Sequence, residues 1–528
     1  MPDPLAVKPQ SIKDMYDYII VGAGAAGSVI AGELSKTGAE ILVIESGPMD
    51  DAPTIGNPSI WFYNIGSPLD FALPIKPTAQ INNRGFNIAL GHVLGGGSSI
   101  NAMVWSRGMA RDYDAWAQSG AKGWAFKDVL PMFKAQEDWE GGANEWRGAG
   151  GPIHIRRPRD PHPTARAVVE AAVQMGLPVL DDMNGPMADG VGYINMNIAP
   201  DGTRVSAATA FLHPNLDRAN LTLLLNTNVI KVLFEGDRAS GVELVVDDGA
   251  RTVSARREVI LSAGTVHTAQ LLMLSGVGEA SALKKLGIAP VADLPGVGRN
   301  FQDHVHLSGV GVVCQYKGNI PPHGVDSDAV EAEVNLSTGV DGHGTDMVLV
   351  LEQLPNASPE LVARLGAALP ENCFTISPSL VQPTSRGRVS LASADWRDPP
   401  VIEPNFLGTD RDLEATRRGA EAARELVSQK AFDGIRQAEL IPGPKARTRQ
   451  DLIDFVRTGA LSFGHPIGTA RMGADADAVV DSELRVRGVR GLRVADASVM
   501  PSTISGATNA PSIMIGGRAA EFIRADIG

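Results

Sequence analysis

Residues 16–45 read YDYIIVGAGAAGSVIAGELSKTGAEILVIE, and this stretch decides the fold. It begins with a short run of β-branched and aromatic residues, passes through glycines into the helix-like stretch SVIAGELSK, and ends in a second apolar run, EILVIE. A strand, a turn, a helix and a strand in this order form a βαβ unit, which builds a parallel sheet with right-handed crossovers. The sequence therefore predicts an α/β fold that starts with a parallel sheet.

The turn of this unit carries a dinucleotide fingerprint. Residues 22–27, GAGAAG, match the pattern GxGxxG, whose glycines permit a tight turn and close approach of the backbone to a pyrophosphate. The following helix N-terminus offers amide donors and the positive end of the helix dipole. Glu45 ends the second strand, where a carboxylate accepts hydrogen bonds from the ribose of an adenosine. A glycine-rich turn alone is often only a turn, but its flanking elements favour a bound dinucleotide without separating FAD from NAD.

Length and composition limit the function classes. The chain has 528 residues, so two or three domain-sized units are expected. The net charge of -13 and the lack of a Lys/Arg cluster argue against nucleic acid as a partner. Two cysteines, Cys314 and Cys373, are too few for a disulfide framework and are interpreted as reduced thiols. The N-terminus shows no signal-peptide pattern and no apolar run could span a bilayer, so we expect a soluble cytoplasmic protein without a membrane span.

Five further parts of the chain resemble the signatures of one enzyme family. Residues 91–101, GHVLGGGSSIN, look like the first signature of the glucose–methanol–choline (GMC) oxidoreductases, and residues 264–278, GTVHTAQLLMLSGVG, resemble the second. Residues 294–304, LPGVGRNFQDH, are similar to the segment that follows it. The stretch HPIGTARMG from His465 and residues 495–523 resemble the active-site and closing segments. The resemblance extends over nearly the whole chain and is greatest to the bacterial branch with choline and alcohol dehydrogenases and aryl-alcohol and hydroxymethylfurfural oxidases.

This resemblance implies an α/β architecture, α+β overall, that binds FAD. A Rossmann-type FAD-binding domain with a parallel sheet is expected beside a substrate domain with an antiparallel sheet flanked by helices. The implied limits are 14–160 (with a lid-like excursion at 51–80), 200–305 and 456–528 for the FAD-binding domain, and 161–199 and 306–455 for the substrate domain. Ile100 stands where some members have a histidine bonded to the flavin, so we expect non-covalent FAD. His92 and Ala269 also depart from the usual signatures, and we expect them to disturb flavin binding little.

The resemblance also assigns cofactor contacts, position by position. The expected FAD contacts lie in the glycine turn, after the second strand, in the first signature, at the adenine position and in the closing segment: Gly22, Gly24, Ala25, Ala26, Gly27, Glu45, Ser46, Val93, Gly95, Gly96, Ser98, Asn101, Ala102, Val104, Val229, Asp496, Ala497, Asn509 and Pro511. In the first signature, glycines let backbone amides meet phosphate and flavin where side chains would clash. For Asp496, a simple helix cap is the competing interpretation.

Alcohol oxidation by a flavin requires loss of the hydroxyl proton and passage of a hydride to flavin N5. A histidine suits the first task because its pKa lies near neutrality. His465 matches the family's active-site histidine, although a histidine that caps the next turn would look the same.

The second catalytic position of the family, normally His or Asn, is Ala507 here, which offers no donor or acceptor. Three explanations stay open: His465 acts alone, Asn509 is recruited, or the substrate is bulkier or supplies its own polar group. Ala507 and the neighbouring Gly464 leave extra room over the flavin. We therefore favour a bulky or aromatic alcohol.

The remaining histidines and aromatic residues have less specific interpretations. His304 and His306 are interpreted as structural, because no carboxylate cluster accompanies them, and no metal is expected. Phe62, Trp105 and Phe463 are candidates for the wall of the substrate pocket, although each such residue is more often part of ordinary core packing.

The sequence thus predicts FAD-dependent oxidation of a small-molecule alcohol to an aldehyde or ketone, with His465 as general base. Two other classes stay open: a non-redox lyase of the hydroxynitrile-lyase type, and a light-driven or otherwise atypical flavoprotein on the same scaffold. A plain NAD dehydrogenase is disfavoured, because residues 91–101 and the segment at His465 would have no role in it. The electron acceptor, oxygen or a quinone, and the oligomeric state are left open.

Overall fold

The opening stretch forms the centre of the first of two large sheets. The computed structural model describes residues 12–186, 189–246, 249–306, 312–318, 320, 324, 327–340, 342 and 344–527, so that residues 1–11, on which the signal-peptide prediction rests, lie outside it. The first sheet contains seven strands. Its path runs Leu221–Leu224, Ile41–Ile44, Met15–Val21, Gly249–Leu261, Arg238–Val246 and Asn228–Glu235, with Leu492–Val494 paired to Gly249–Leu261. Five strands pair with one another in parallel, namely Leu221–Leu224, Ile41–Ile44, Met15–Val21, Gly249–Leu261 and Leu492–Val494. The strand Arg238–Val246 is antiparallel to both of its neighbours, Gly249–Leu261 and Asn228–Glu235.

Burial explains why these runs become central strands. All four residues of Ile41–Ile44 are buried, as both faces of a parallel sheet are covered. The helix Ala25–Ser35 connects this strand to Met15–Val21. Gly22 has φ +95°, and a Cβ atom there would lie 2.4 Å from the carbonyl oxygen of Ser262. Only glycine fits this turn, because a larger residue would be strained and would collide with the neighbouring strand.

The second sheet contains eight strands, all antiparallel to their partners. Its path runs Arg436–Ile441, Val312–Tyr316, Cys373–Leu380, Met347–Glu352, Ala332–Leu336 and Gly190–Tyr193, and Val305–His306 links Cys373–Leu380 to Leu461–Ser462. One largely parallel and one antiparallel sheet confirm the predicted fold class. The exact domain limits stay a prediction.

Helices and short ribbons cover the two sheets. The α-helices of six residues or more in the described ranges are Ala25–Ser35, Ala110–Gln118, Phe126–Gln136, Pro163–Gln174, Gly264–Leu274, Ala280–Lys285, Pro359–Leu365, Asp410–Ser428, Arg449–Gly459 and Asn509–Ile527. Two-stranded ribbons pair Leu73–Pro74 with Asn87–Ile88, Glu137–Trp139 with Ile153–Ile155, Val277–Gly278 with Ala292–Asp293, and Arg388–Ser390 with Val401–Glu403. The excursion at 51–80 contains the short helices Pro53–Gly56 and Pro58–Asn64.

The last strand and the closing helix bring the C-terminal part of the chain back to the first sheet. The strand is limited to Leu492–Val494, because Gly488 and Gly491 adopt φ +76° and +68° and turn the chain just before it. The closing helix extends over Asn509–Ile527. It therefore begins at a residue assigned to the cofactor site, and its N-terminal end faces the cavity described below.

Candidate active site

A cavity of about 1110 Å³ is lined by the glycine turn, the first-signature loop, one face of the antiparallel sheet and the closing segment. Most of the residues assigned to FAD line it: Gly22, Gly24, Ala25, Ala26, Glu45, Ser46, Gly96, Ser98, Asn101, Ala102, Val104, Val229, Asp496, Ala497 and Asn509. The assigned catalytic and substrate residues Phe62, Phe463, His465 and Ala507 line the same cavity. The structure thus brings together segments that are far apart in the chain.

Five assigned residues lie outside the cavity lining. They are Gly27, Val93, Gly95, Pro511 and Trp105. A Cβ atom on Gly27 would lie 2.0 Å from the carbonyl oxygen of Gly22, so this glycine serves the packing of helix on turn. Trp105 is 1% exposed, and its indole Nε1 lies 3.3 Å from a carboxylate oxygen of Glu137. Its side chain is therefore part of the core rather than of the substrate wall.

The residues at the glycine end of the cavity fit a dinucleotide. A Cβ atom on Gly96 would lie 2.9 Å from Cα of Gly24, so two glycine-rich turns meet there without side chains between them. Such turns expose backbone amides to phosphate. At the other end, Nδ2 of Asn509 is buried and has no hydrogen-bond partner within the described part of the chain. A donor of this kind suits a polar group of a ligand that fills the cavity.

The side chain of Glu45 is hydrogen-bonded to the glycine turn. Its carboxylate accepts hydrogen bonds from the amides of Ala23 and Gly47, each at 2.9 Å. Burial raises the pKa of this carboxyl group, and the two amide donors oppose that effect by stabilising the charge. Asp496 is built similarly, because it accepts hydrogen bonds from the amide of Gly264 at 2.9 Å and the hydroxyl of Thr268 at 2.6 Å. Both carboxylates therefore hold the cofactor-side loops in place as well as facing the cavity.

Arg204 is hydrogen-bonded to the first-signature loop. It is a residue that the sequence did not indicate as part of the site. Its guanidinium donates to Oδ1 of Asn101 at 2.7 Å, to the carbonyl of Ser98 at 3.2 Å and to the carbonyl of Ile55 at 2.7 Å. The side chain is buried, and burial lowers its pKa to about 9. Asn101 also accepts a hydrogen bond from the amide of Met103 at 3.0 Å. Arg204 thus ties the loop beside the flavin position to the lid-like excursion.

His465 is held by a hydrogen-bonded chain. Nε2 of His304 lies 2.9 Å from the carbonyl oxygen of Ile504, and Nδ1 of His304 lies 3.0 Å from Nδ1 of His465. A carbonyl can only accept, so His304 carries its proton on Nε2 and presents an unprotonated Nδ1. His465 must then donate from its own Nδ1, which leaves its Nε2 as an unprotonated acceptor. Burial lowers the pKa of His465 well below its ordinary value, and the pKa of His304 to about 4.

The backbone around His465 is anchored by a buried acid. Asp303 accepts a hydrogen bond from the amide of His465 at 3.1 Å and one from the hydroxyl of Ser462 at 2.5 Å. Burial raises the pKa of Asp303 to about 7. Residues 294–304, LPGVGRNFQDH, therefore supply two neighbouring groups, Asp303 and His304, that fix the position and the tautomer of His465.

His306, which also lies near His465, has hydrogen-bond partners of its own. Nδ1 of His306 lies 2.6 Å from the hydroxyl of Ser379, and its Nε2 lies 3.3 Å from a carboxylate oxygen of Glu352. The ring of Phe463 stacks on His306 at 4.0 Å with an interplanar angle of 1°. The described ranges contain no group of three His, Cys, Asp or Glu side chains that could hold a metal ion.

A second residue that the sequence analysis missed is Glu333, which lines the cavity from the antiparallel sheet. Burial alone raises the pKa of this carboxyl group to about 7. The sequence feature that could have identified Glu333 is an acidic residue within the strand AEVNL, whose other residues are apolar or neutral.

Comparison with known proteins gives consistent matches over the chain. The family model GMC oxidoreductase matches residues 16–306 with its N-terminal part and residues 383–516 with its C-terminal part. The chain is 38% identical to the mitochondrial choline dehydrogenase of Homo sapiens, over 98% of this chain and 91% of that protein. It is also 38% identical to the oxygen-dependent choline dehydrogenase of Brucella suis biovar 1, over 96% of this chain and 95% of that protein.

Solved structures agree with this family match. Pyridoxine 4-oxidase from Mesorbium loti superposes with a TM-score of 0.91 and 32% identity, over 97% of this chain and 99% of that one. Formate oxidase of Aspergillus oryzae, studied for its FAD modification, superposes with a TM-score of 0.89 and 25% identity, over 98% and 99%. Among the described residues, no helix is both long and apolar enough to cross a membrane.

Proposed function

The chain belongs to the GMC oxidoreductase family and oxidises alcohols with FAD, and from this premise we propose that His465 is the general base of the reaction. We further propose that the substrate is a bulky alcohol with a nitrogen-bearing body. A non-redox lyase is not favoured, because the named relatives above are dehydrogenases and oxidases.

One observation supports the role of His465 above the others. The chain from the carbonyl of Ile504 through His304 fixes a proton on Nδ1 of His465 and leaves Nε2 with a free electron pair. His465 lines the cavity, and the lowered pKa keeps its imidazole neutral. A neutral imidazole with one fixed proton and one free acceptor is the form that a general base requires.

The step that His465 would perform is removal of the hydroxyl proton. As the alcohol carbon becomes a carbonyl carbon, the O–H bond gives its proton to Nε2 and the C–H bond gives up a hydride. When bound, FAD supplies the acceptor for that hydride. Asp303 keeps the His465 backbone in place during the transfer, since it accepts the hydrogen bond of the His465 amide.

Ala507 offers no hydrogen bond to the substrate oxygen. Its methyl group lines the cavity at the position where the family usually has a hydrogen-bonding side chain. Loss of one such donor costs about 10²- to 10³-fold in rate in other enzymes. Gly464 also lines the cavity with φ +74°, so neither residue fills the space near His465. This space supports a bulky substrate whose fit replaces part of the missing hydrogen bond.

The substrates named for the relatives fit this description. Choline and pyridoxine are both alcohols that carry a nitrogen in the body of the molecule. The proposed domain limits place the cavity between the FAD-binding ranges 14–160, 200–305 and 456–528 and the substrate ranges 161–199 and 306–455. We propose the cytoplasm as the location, because Cys314 and Cys373 are free thiols as expected in a reducing compartment.

Anaerobic reduction of the holoenzyme tests the proposal. Purified protein with bound FAD is mixed with aryl, furanic, aliphatic and amino alcohols, and loss of the flavin absorbance band is followed over time. We expect reduction by a bulky or nitrogen-bearing alcohol and a loss of about 10²- to 10⁴-fold in its rate in His465→Ala. His154→Ala, a change at a histidine that is paired with Asp138 and does not line the cavity, serves as control. Equal rates in His465→Ala and the parent protein would rule out His465 as the base.

A further inference from the structure

The hydrogen-bonded chain that fixes His465 continues through the peptide group that joins Ile504 to Ser505. The carbonyl oxygen of this peptide group lies 2.9 Å from Nε2 of His304, and its amide donates to Oδ2 of Asp112 at 2.7 Å. One peptide group therefore contacts a histidine on its acceptor side and a carboxylate on its donor side. Hydrogen bonds in a chain polarise one another, so the carboxylate makes the carbonyl oxygen a stronger acceptor for the histidine.

Four hydrogen-bond donors surround the carboxyl group of Asp112. Oδ2 accepts from the amides of Met109 at 2.8 Å and Ser505 at 2.7 Å. Oδ1 accepts from the hydroxyl of Ser505 at 3.0 Å and from Nε2 of Gln382 at 3.1 Å. Burial raises the pKa of this carboxyl group, and the donors oppose that effect because they bind the charged form. The four contacts thus hold a negative charge beside the peptide group.

Two glycines allow the segment around Ile504 to lie close to Asp112. A Cβ atom on Gly108 would lie 3.0 Å from Cβ of Ile504 and 3.0 Å from Oδ2 of Asp112. A Cβ atom on Gly506 would lie 2.0 Å from Oγ of Ser106. The two segments therefore pack without side chains between them, which keeps the carboxylate within hydrogen-bond distance of the peptide group.

Helix capping explains only part of the contacts of Asp112. It is the third residue of the helix Ala110–Gln118, and an acid at this position accepts a hydrogen bond from the amide just before the helix, here that of Met109. The other three hydrogen bonds come from Ser505 and Gln382, which lie 393 and 270 positions away in the chain. Asp112 therefore connects the start of this helix to the closing segment of the site.

A second buried acid offers a close comparison. Asp412 is the third residue of the helix Asp410–Ser428, and its carboxylate accepts from the amides of Thr384 and Ser385, each at 2.8 Å. The hydroxyl groups of the same two residues donate to it as well. Over the part of the chain that the structure describes, none of its hydrogen bonds reaches the closing segment. Asp412 thus resembles Asp112 in burial and in its donors but has no connection to the histidines.

We propose that Asp112 is a positioning residue for His465. It acts through the Ile504–Ser505 peptide group and through His304, which contacts both the peptide group and His465. The inference rests on the proposed function, since it extends the chain that holds the proposed base. When Nε2 of His465 takes the hydroxyl proton of the alcohol, the imidazole becomes a cation. The charge of Asp112 stabilises this cation and keeps the other proton on Nδ1.

The tautomer of His465 can be measured without a substrate, from the nuclear magnetic resonance spectrum of the holoenzyme with ¹⁵N-labelled histidine. His465→Ala and His304→Leu identify the signals of the two rings by their loss. In the parent protein and in Asp412→Asn, we expect a proton on Nδ1 of His465 and none on its Nε2. In Asp112→Asn, we expect the Nδ1 proton to move upfield and to exchange with solvent about 10-fold faster or more, because the acceptor chain is weakened.

The rate of flavin reduction tests the consequence for the reaction. Asparagine keeps the size of the aspartate side chain but removes its charge. Choline and pyridoxine, the alcohols named for the relatives, serve as probes in anaerobic reduction of the holoenzyme. For Asp112→Asn we expect the rate at saturating alcohol to fall about 10- to 100-fold with little change in the half-saturating concentration, whereas Asp412→Asn should stay within about twofold of the parent protein.

FAD content and melting temperature report whether each variant is folded. A purely structural role of Asp112 would lower the melting temperature of Asp112→Asn and Asp412→Asn alike and leave the signals of His465 unchanged in both. Unchanged His465 signals in Asp112→Asn would therefore overturn the inference, whatever the rates. Equal rates in Asp112→Asn and the parent protein, where His465→Ala is slow, would also overturn it.

The inference and the proposed function fail in different ways. If the His465 signals shift in Asp112→Asn but His465→Ala reduces the flavin as fast as the parent protein, the hydrogen-bonded chain stands and the proposed base is wrong. If His465→Ala is slow but the His465 signals in Asp112→Asn are those of the parent protein, the proposed base stands and the role of Asp112 is wrong.

Discussion

Nδ1 of His304 lies 3.0 Å from Nδ1 of His465, and the other nitrogen of His304 lies 2.9 Å from the carbonyl oxygen of Ile504. Ile504 belongs to the same segment as Ala507, the position that lacks the usual polar side chain. This segment therefore still acts on the site through its backbone. His304 does not line the cavity, so its influence on His465 is that of a positioning residue.

His304→Leu removes the acceptor for the Nδ1 proton of His465. The imidazole of His465 can then place its proton on either nitrogen, and the form with Nε2 free is no longer enforced. We expect the rate of flavin reduction to fall about 10- to 100-fold with little change in FAD content. His304→Asn keeps an acceptor oxygen near the same place and should retain more of the rate. An unchanged rate in His304→Leu would contradict the role of the hydrogen-bonded chain.

Ala507→Asn restores a hydrogen-bonding side chain beside the substrate oxygen. A donor at this position should accelerate the oxidation of small alcohols by up to about 10²- to 10³-fold. The added volume should slow the oxidation of bulky alcohols, because the cavity near Gly464 becomes narrower. Ala507→Val is the control, since it adds volume without a donor and should only slow bulky substrates. The comparison of initial rates for a small and a bulky alcohol in the three proteins checks both effects.

Local patterns predicted the fold, whereas the finer parts of the site depend on distant contacts. The run from Tyr16 to Glu45 carries its own periodicity and glycines, so its strands and helix follow from the sequence. Arg204 and Asn101 are 103 positions apart, and His304 and His465 are 161 apart. Nothing in the neighbourhood of either residue in the sequence indicates such a partner. Trp105 was a candidate for the substrate wall as well as for core packing, and only its contact with Glu137, 32 positions away, places its side chain in the core.

Arg204→Met should weaken the binding of FAD. The change leaves the carbonyls of Ile55 and Ser98 and Oδ1 of Asn101 without their donor, and the loop beside the flavin position loses its support. We expect the FAD dissociation constant to rise about 10- to 100-fold, as for loss of a hydrogen bond to a charged group. Flavin fluorescence during titration of the apoprotein measures this constant. Arg485→Met, at a partly exposed arginine paired with Glu483 and Asp526, should leave it unchanged.

Glu333→Gln should stabilise the protein. The pKa of Glu333 is about 7 in the folded protein and about 4.5 in an unfolded chain. As pH rises between these values, the unfolded chain loses the proton first, so the folded state is progressively disfavoured. Glutamine does not titrate, and the variant should therefore melt at a higher temperature, by a larger margin at pH 8 than at pH 5.5. Equal margins at both pH values would show that the Glu333 carboxyl group does not titrate in this range.

The oxidation of a neutral alcohol should depend little on pH in the mildly acidic range. Burial holds the pKa of His465 well below its ordinary value, so the base stays unprotonated there. We therefore expect kcat/KM for a neutral alcohol to change little between about pH 5.5 and about pH 7. Steady-state rates over this range check the expectation. A fall in kcat/KM on acidification through about 6.5, the ordinary pKa of histidine, would contradict a lowered pKa of His465.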